Sequence, residues 1–244
     1  MGGRSKLSRL EERLAEVRRT TVEGFADRAR ELREAAERLV AGEAEARGEI
    51  RRMAHRLRGV AGSAGHAELS ERAGRLEAAA ETASDPALLE GARRLAAAAE
   101  RASASRDAAP EPLAPPPAES APLDLRVVAL DDEPATRRLL EITLLQVGRA
   151  QAAVLADPAA VMERVRSGEI DLLIVDAMMP EVSGLELYRA ARRERGPSFP
   201  IVILSAASPE ELGWQLPDDP RLTWMRKPFR PAALLAELRA FAGR

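Results

Sequence analysis

The sequence predicts two domains of different fold class, a helical bundle followed by an α/β domain with a parallel sheet. Residues 5 to about 104 are rich in Ala, Glu, Arg and Leu, which form helices readily, and contain only one proline, Pro86. From Leu125 onward, short apolar runs alternate with helical patterns, which indicates a parallel sheet covered by helices. The expected divisions are a helical domain at 1–106, a Pro-rich linker at 107–124 and an α/β domain at 125–244.

The composition excludes several functional classes. The chain has 244 residues, 45% of them hydrophobic, which suits about two domains. A formal net charge of -2 argues against a general nucleic-acid or membrane surface. The absence of cysteine excludes disulfides, thiolate catalysis and cysteine-ligated zinc. Because no apolar run approaches the ~18 residues of a membrane span, we expect a cytoplasmic protein with no nucleic-acid or membrane partner.

The first hundred residues carry two apolar stripes at helical spacing that are out of phase with each other. The first consists of Leu7, Leu10, Leu14 and Val17, and the second of Val22, Phe25, Ala29, Leu32, Ala36 and Leu39. A capping box at Thr20–Glu23 between two helices and one long helix with a stutter both explain the change of phase. Further helices are expected at about 44–64, 67–82 and 86–104, the last with Asp85 as its N-cap. Short joints between these helices predict an antiparallel bundle, and the N-terminal helix is a candidate dimer interface.

The second half predicts five strands and five helices. Strands are expected near 125–130, 150–155, 170–176, 200–205 and 222–226. Helices are expected near 134–147, 158–167, 183–195, 208–214 and 231–242. The fourth helix is crowded by Gly213 and Pro217, which disfavour it.

Polar side chains follow four of these strands where each strand ends. Asp131 and Asp132 follow the first strand, Asp176 the third, Ser205 the fourth and Lys227 the fifth. Taken singly, each suits a helix cap or a solvated strand end. Together they lie at the edge of the sheet where α/β proteins bind ligands. Crowded carboxylates resist ionising, and Mg²⁺, which prefers oxygen ligands, relieves the repulsion. Asp176 is then a candidate nucleophile toward a phosphoryl group, with Lys227 and Ser205 stabilising the charge.

Residues 125–244 therefore resemble a receiver domain of a two-component response regulator. The matching positions are Asp131-Asp132, Asp176, Met179-Pro180, Gly184, Ser205 and Lys227-Pro228-Phe229. The resemblance implies a flavodoxin-like sheet of order 2-1-3-4-5 with Asp176 as the phosphoacceptor. It also implies Mg²⁺ held by Asp131, Asp132, Asp176 and the Met178 backbone carbonyl, and a cis Lys227–Pro228 bond. Trp224 stands where the family usually places a switch Tyr or Phe.

The helical half contains both histidines of the chain, and one of them, His55, lies on a glycine-rich helix face. At ~100° per residue, His55 lies roughly 160° from a core stripe made of Ile50, Met53, Ala54, Leu57, Val60, Ala61 and Ala64. We therefore expect an exposed imidazole, which is most often an ordinary surface residue. Gly48, Gly59 and Gly62 lie beside it, and because glycine destabilises a helix by about 1 kcal/mol relative to Ala, their presence suggests close approach of a partner.

Residues 54–70 resemble the motif of the histidine-phosphotransfer (HPt) domain. The resemblance covers His55, the following Arg58-Gly59, the later Gly62, and Glu68-Leu69-Ser70, while the flanking helices match only in character. It implies that His55 carries a phosphoryl group and exchanges it with a receiver aspartate, with Arg58 beside that group. His66, which follows Gly65, is expected to be a turn or cap residue.

The resemblances favour a phosphorelay protein whose partners are a sensor histidine kinase or other receiver and HPt proteins. It is not itself a kinase, because no glycine-rich nucleotide loop occurs. One alternative is a receiver-only regulator whose bundle is a protein-interaction scaffold. Another is an aspartyl-phosphate phosphohydrolase, although Met178 stands two residues after Asp176, where the haloacid dehalogenase type requires a second Asp.

Overall fold

The computed structural model describes residues 6–104, 122–179, 182–227 and 229–242. It divides the chain into two compact units: one spans Glu16–Pro112, and the other spans Leu113–Arg244 together with Met1–Ala15. Most of the predicted Pro-rich linker, residues 107–121, lies outside the described residues. Within the described ranges, no helix combines the length and apolarity needed to cross a membrane.

The N-terminal half is helical, as predicted. Its helices are α1 Lys6–Glu23, α2 Phe25–Val40, α3 Ala46–Ser63, α4 Ala67–Thr82 and α5 Asp85–Ala104. Helices α2 and α4 each pack against both α3 and α5. At the start of α3, Arg47 donates to the carbonyl of Ala80 near the end of α4, and Ser70 near the start of α4 donates to the carbonyl of Arg58. These contacts show that α3 and α4 run antiparallel.

The core of the bundle is built from the predicted stripes. Fully buried large side chains from three helices, α2, α3 and α5, meet there: Phe25, Leu32, Ile50, Leu57, Leu88 and Leu95. In α3 the expected stripe is buried except for Met53, which is half-buried and packs against the same core. Burial of this amphipathic face stabilises the helices more than their intrinsic propensity does.

Of the two predicted forms of the joint between α1 and α2, the structure does not show the capping box at Thr20–Glu23. The break falls at Gly24, and the Thr20 and Thr21 hydroxyls donate back to carbonyls four residues earlier, so no capping box forms there. Backbone hydrogen bonds from Gly24 to Thr20 and from Arg28 to Gly24 continue across the joint. Helical hydrogen bonding therefore continues across the joint, with a local irregularity at Gly24.

The C-terminal half is a five-stranded parallel sheet in the order β2-β1-β3-β4-β5, which confirms the predicted fold. Its strands are β1 Arg126–Leu130, β2 Gln151–Leu155, β3 Leu172–Asp176, β4 Ile201–Ser205 and β5 Leu222–Arg226. Its helices are α6 Pro134–Glu141, continued by a π-helical turn Ile142–Val147, then α7 Pro158–Ser167, α8 Gly184–Arg195 and α9 Pro231–Ala242. Strands β3 and β4 are buried along their whole length because helices cover both faces.

The predicted helix at 208–214 is wrong. Ser208 and Glu211 form reciprocal hydrogen bonds of a helix start, at 2.7 and 3.2 Å, but only a single turn follows. Gly213 adopts φ +66, and Trp214 N donates to Pro209 O instead of continuing the helical pattern. The positive φ at Gly213 and the nearby Pro217 terminate the turn.

Candidate functional site

The carboxyl ends of the strands bring an ammonium group between two buried carboxylates. Lys227 follows β5, and its Nζ lies 2.6 Å from Oδ2 of Asp131 and 3.0 Å from Oδ1 of Asp176. All three side chains are at most 7% exposed. Strand register creates this cluster, because β1 pairs with β3 and β3 with β4, so the strand ends meet at one edge.

Burial and charge act in opposite directions on Lys227. Burial alone lowers the pKa of this ammonium, but the charges of Asp131 and Asp176 and their hydrogen bonds outweigh it, so the pKa is raised. Lys227 is therefore a fixed positive charge at neutral pH. It suits the stabilisation of negative charge and does not suit a role as a base.

A third carboxylate completes an acidic cluster. Ligand oxygens of Asp131, Asp132 and Asp176 all lie within 4.8 Å of one another. Asp132 is half-buried, whereas the other two are buried. Three converging carboxylates fit a hard divalent cation, which prefers oxygen ligands and retains waters of its own. The donor set therefore fits such a cation at this edge.

Asp176 sits at a close approach between β3 and α8. A Cβ on Gly184 would lie 2.4 Å from the Asp176 carbonyl oxygen and 2.9 Å from Ala177 Cα, so only glycine fits there. Ser183 and Glu186 form a capping box at the same helix start. The start of α8 is thus pinned against the strand end that carries Asp176.

The structure also describes three other sequence-predicted residues of this half. Ser205 is fully buried, and its Oγ accepts from Ala207 N at 3.1 Å. Trp224 is half-buried and packs edge-on against Trp214, with ring centroids 5.7 Å apart. Met178 is half-buried against the sheet core. Pro180 and Pro228 lie outside the described residues, and the predicted cis bond at Lys227–Pro228 lies there with them.

In the bundle, the expectation of an exposed His55 is wrong. The His55 side chain is only 11% exposed, and its Nδ1 lies 2.7 Å from Oε1 of Glu77 on α4. The core stripe marks only one buried face of α3. A second face of the same helix packs against α4 and carries His55. Gly62 is also buried and Gly59 is half-buried, so the three glycines do not form the bare exposed face that we expected.

Glu77 connects His55 to Arg58. Arg58 Nη1 lies 3.4 Å from Oε2 of Glu77, on the other side of the carboxylate from His55. Burial raises the pKa of Glu77, but the hydrogen bond and charge of His55, together with Arg58, outweigh it and leave the pKa lowered. An ionised Glu77 is a hydrogen-bond acceptor, so it favours the tautomer in which His55 Nδ1–H donates to it and the ring lone pair lies on Nε2.

Models of two protein families match the chain, one in each half. The model described as the Hpt domain matches residues 20–107, and the model described as the response regulator receiver domain matches residues 127–239. The chain joins an Hpt domain to a response regulator receiver domain. This confirms both resemblances, and the pair of domains indicates two-component phosphorelay signalling.

Curated relatives match the receiver domain. The DNA-binding response regulator MtrA of Mycolicibacterium smegmatis is 32% identical over 118 residues, which are 47% of this chain and 49% of MtrA. The alkaline phosphatase synthesis transcriptional regulatory protein PhoP of Bacillus subtilis is 27% identical over 125 residues, 50% of each chain. The chain thus spans about half the length of these relatives.

Solved structures also align with this half. The Vibrio cholerae chemotaxis protein CheY4 is 28% identical, with a TM-score of 0.42, covering 48% of this chain and 98% of that one. A sensor protein from Polaromonas sp. JS666 is 29% identical, with a TM-score of 0.44, covering 51% of this chain and 98% of that one.

Sequence reasoning missed Glu77 in the Hpt domain. A signal was present: Glu77 occupies a buried position of α4 beside Leu76, on the face that also buries Leu69, Ala73 and Ala80. A carboxylate on an apolar face requires a buried partner. Of the two histidines in the chain, the other, His66, is the N-cap of α4 as expected.

Proposed function

We propose that His55 of the Hpt domain and Asp176 of the receiver domain carry and exchange a phosphoryl group with partner kinases or regulators in the cytoplasm. The observation that supports this most directly is the placement of Lys227 between Asp131 and Asp176, beside a third carboxylate. Such a cluster suits phosphoryl transfer, which needs positioning and charge neutralisation more than covalent help.

Each residue of the receiver rim has a proposed role. Asp176 attacks phosphorus through a carboxylate oxygen, forming an acyl phosphate as the bond from phosphorus to the donor breaks. Lys227 stabilises the negative charge on the transferred phosphoryl oxygens, and the Ser205 hydroxyl donates a hydrogen bond to them. Asp131, Asp132 and Asp176, with the Met178 carbonyl, would hold Mg²⁺. When bound, Mg²⁺ neutralises phosphoryl charge and relieves carboxylate repulsion. Trp224 is the proposed switch aromatic.

Histidine chemistry in the Hpt domain rests on the contact with Glu77. With Nδ1 donating to Glu77, Nε2 carries the ring lone pair, and it attacks phosphorus without a separate base as the bond from phosphorus to the donor breaks. In the reverse transfer the P–N bond breaks and a P–O bond forms on the receiver aspartate. Arg58, already held by Glu77, lies close enough to act on the phosphorylated ring.

A second candidate function follows from the burial of His55. At 11% exposure, the imidazole offers little surface to a partner, which favours a receiver-only regulator whose helical domain is an interaction scaffold. The first candidate requires that His55 become accessible during transfer. The two candidates therefore differ in whether His55 accepts a phosphoryl group at all.

The test labels the two residues separately and detects the products by mass spectrometry under conditions that preserve phosphohistidine and aspartyl phosphate. Acetyl phosphate with Mg²⁺ should label Asp176 in the wild type and not in Asp176→Asn. Phosphoramidate or a suitable kinase should label His55 in the wild type and not in His55→Gln. Label that survives EDTA or Asp176→Asn would exclude the receiver assignment. An unlabelled His55 in a receiver-competent chain would favour the scaffold.

A mixing experiment then tests whether the two residues are partners. Asp176→Asn protein phosphorylated on His55 is added to unlabelled His55→Gln protein. Appearance of label on Asp176 shows that the two residues exchange, and its concentration dependence, compared with that of the wild type, separates exchange within one chain from exchange between chains. If no label arrives although the receiver accepts it from acetyl phosphate, the two domains serve different partners.

A further inference from the structure

Arg137 lies early in α6, directly behind the acidic loop that follows β1. Its Nη1 donates to the backbone carbonyl of Asp131 at 2.9 Å and to that of Asp132 at 2.7 Å. Long side chains on a helix point back toward the helix N-terminus, which is where this loop enters α6. A single guanidinium nitrogen therefore holds the peptide carbonyls of two of the three carboxylate residues in the cluster.

We propose that Arg137 is a positioning residue for the cation site. By fixing the carbonyls of Asp131 and Asp132, it holds their carboxylates in the arrangement that a divalent cation requires. This inference rests on the proposed function, because it concerns the same acidic cluster, and it assigns a role to a residue that the sequence motifs do not include.

The loop needs such a tether for two reasons. Its carbonyls lie beyond the end of β1, and half-buried peptide groups that leave a sheet require other hydrogen-bond partners. In addition, the ligand oxygens of three carboxylates lie within 4.8 Å of one another, and like charges at this distance repel one another. Asp132 is the least buried of the three. Arg137 is hydrogen-bonded to the peptide of that residue.

Positioning and charge have opposite effects on Mg²⁺ affinity. The direction in which the affinity changes when Arg137 is replaced therefore distinguishes the two roles. A positive charge near the cluster opposes the binding of a cation, so a residue that acted only through its charge would weaken Mg²⁺ binding. Its removal would then tighten binding. If Arg137 acts by positioning, its removal weakens binding, since loss of a group that orients metal ligands typically lowers metal affinity about 10- to 100-fold.

The next residue supplies a matched control. Arg138 carries the same charge one position along α6, but it is exposed and pairs with Glu141 at 2.8 Å. Arg138→Ala removes a positive charge from the same helix without touching the loop carbonyls. Arg137→Ala removes both the charge and the two hydrogen bonds, and Arg137→Gln removes the charge while keeping a polar side chain of moderate length.

The experiment titrates the full chain with MgCl₂ by calorimetry and measures phosphorylation by acetyl phosphate against Mg²⁺ concentration. Arg137→Ala and Arg137→Gln should bind Mg²⁺ about tenfold more weakly than the wild type and need correspondingly more Mg²⁺ for half-maximal rate. At saturating Mg²⁺ the rate should return to within about threefold of wild type, which general destabilisation would not produce. Arg138→Ala should match the wild type.

Three results would overturn the inference: unchanged or tighter Mg²⁺ binding by the Arg137 variants, an equal loss in Arg138→Ala, or a rate that saturating Mg²⁺ does not restore. Unfolding of metal-free protein, followed by tryptophan fluorescence, checks that the variants are folded. If Arg137→Ala is unfolded, the Mg²⁺ binding of Arg137→Gln decides the test. A wild type that binds no Mg²⁺ defeats the proposed metal site and this inference together, whereas normal wild-type binding with unaffected Arg137 variants defeats the inference alone.

Discussion

Gly184→Ala should distort the phosphoacceptor end of β3 while leaving the rest of the receiver domain folded. The added Cβ would lie 2.4 Å from the Asp176 carbonyl oxygen and 2.9 Å from Ala177 Cα. Both obstacles are backbone atoms, so no side chain can rotate away, and α8 must retreat by about 0.6 Å to restore even a tight contact. Such overpacking typically destabilises a protein by about 1–3 kcal/mol.

The same shift should slow phosphorylation. A displacement approaching 1 Å at a reacting group can lower a rate about 100-fold, so we expect Gly184→Ala to react with acetyl phosphate about 10- to 100-fold more slowly than the wild type. Stability is measured by urea unfolding monitored through tryptophan fluorescence. Both tryptophans, Trp214 and Trp224, lie in the receiver domain, so the signal reports that domain.

Gly168→Ala is the matched control, because it separates lost stability from altered site geometry. Gly168 ends α7 with φ +75, and a Cβ there would meet nothing within 4 Å. Alanine in this left-handed conformation destabilises the domain by about 1 kcal/mol, but it lies away from Asp176 and should leave the phosphorylation rate unchanged. The reasoning fails if Gly184→Ala reacts at the wild-type rate, or if Gly168→Ala slows the reaction equally.

Three further predictions concern single residues. Glu77→Gln should slow phosphorylation of His55 about tenfold, because the amide no longer fixes the Nδ1–H tautomer; equal rates in both proteins would refute this. Burial lowers the pKa of His66, because the charged imidazole is disfavoured in the folded protein. His66 therefore contributes fully to stability above the ordinary pKa of about 6.5, and this contribution is lost as the pH falls below that value. The difference in unfolding free energy between wild type and His66→Asn, measured by circular dichroism, should shrink with falling pH, and a pH-independent difference would contradict it. Met178 lacks a strong hydrogen-bonding group, so the aspartyl phosphate should decay slowly. Met178→Asn should accelerate this decay, measured as loss of label from the protein. An unchanged or slower decay in the variant would count against this prediction.

The sheet was predictable from the sequence because each buried strand is bounded by strong local signals. The apolar run at 172–175, the carboxylate Asp176 that ends it and the turn residues after it place β3 correctly. Parallel pairing then places the residues that follow each strand at one edge without further information. The helix expected at 208–214 failed because the helix-start residues Ser208 and Glu211 are present, but Gly213 and the extended segment after it prevent propagation.

The helices of the bundle were predictable from the sequence, but which helix packs against which was not. An apolar stripe shows which face of α3 meets the core, yet it does not show which helix covers the flank of that face. His55 lies on that flank, and α4 places Glu77 against it. Periodicity indicates that Glu77 lies on the buried face of α4, but the two residues are 22 positions apart, so no local pattern identifies His55 as the partner of Glu77.

The burial of His55 and the exposure that phosphoryl transfer requires can be reconciled through Glu77. The contact fixes the plane of the ring and, when Nδ1–H is the donor, directs Nε2 away from Glu77, so only one edge of the imidazole needs to meet a phosphodonor. An in-line transfer needs access along one direction, toward one nitrogen. Compared with an exposed imidazole, a buried and oriented one offers a partner less surface, but it is held in a single geometry for the reaction. Glu77→Gln tests this explanation directly, since it should leave the ring equally buried and remove the charged acceptor that fixes its tautomer and orientation.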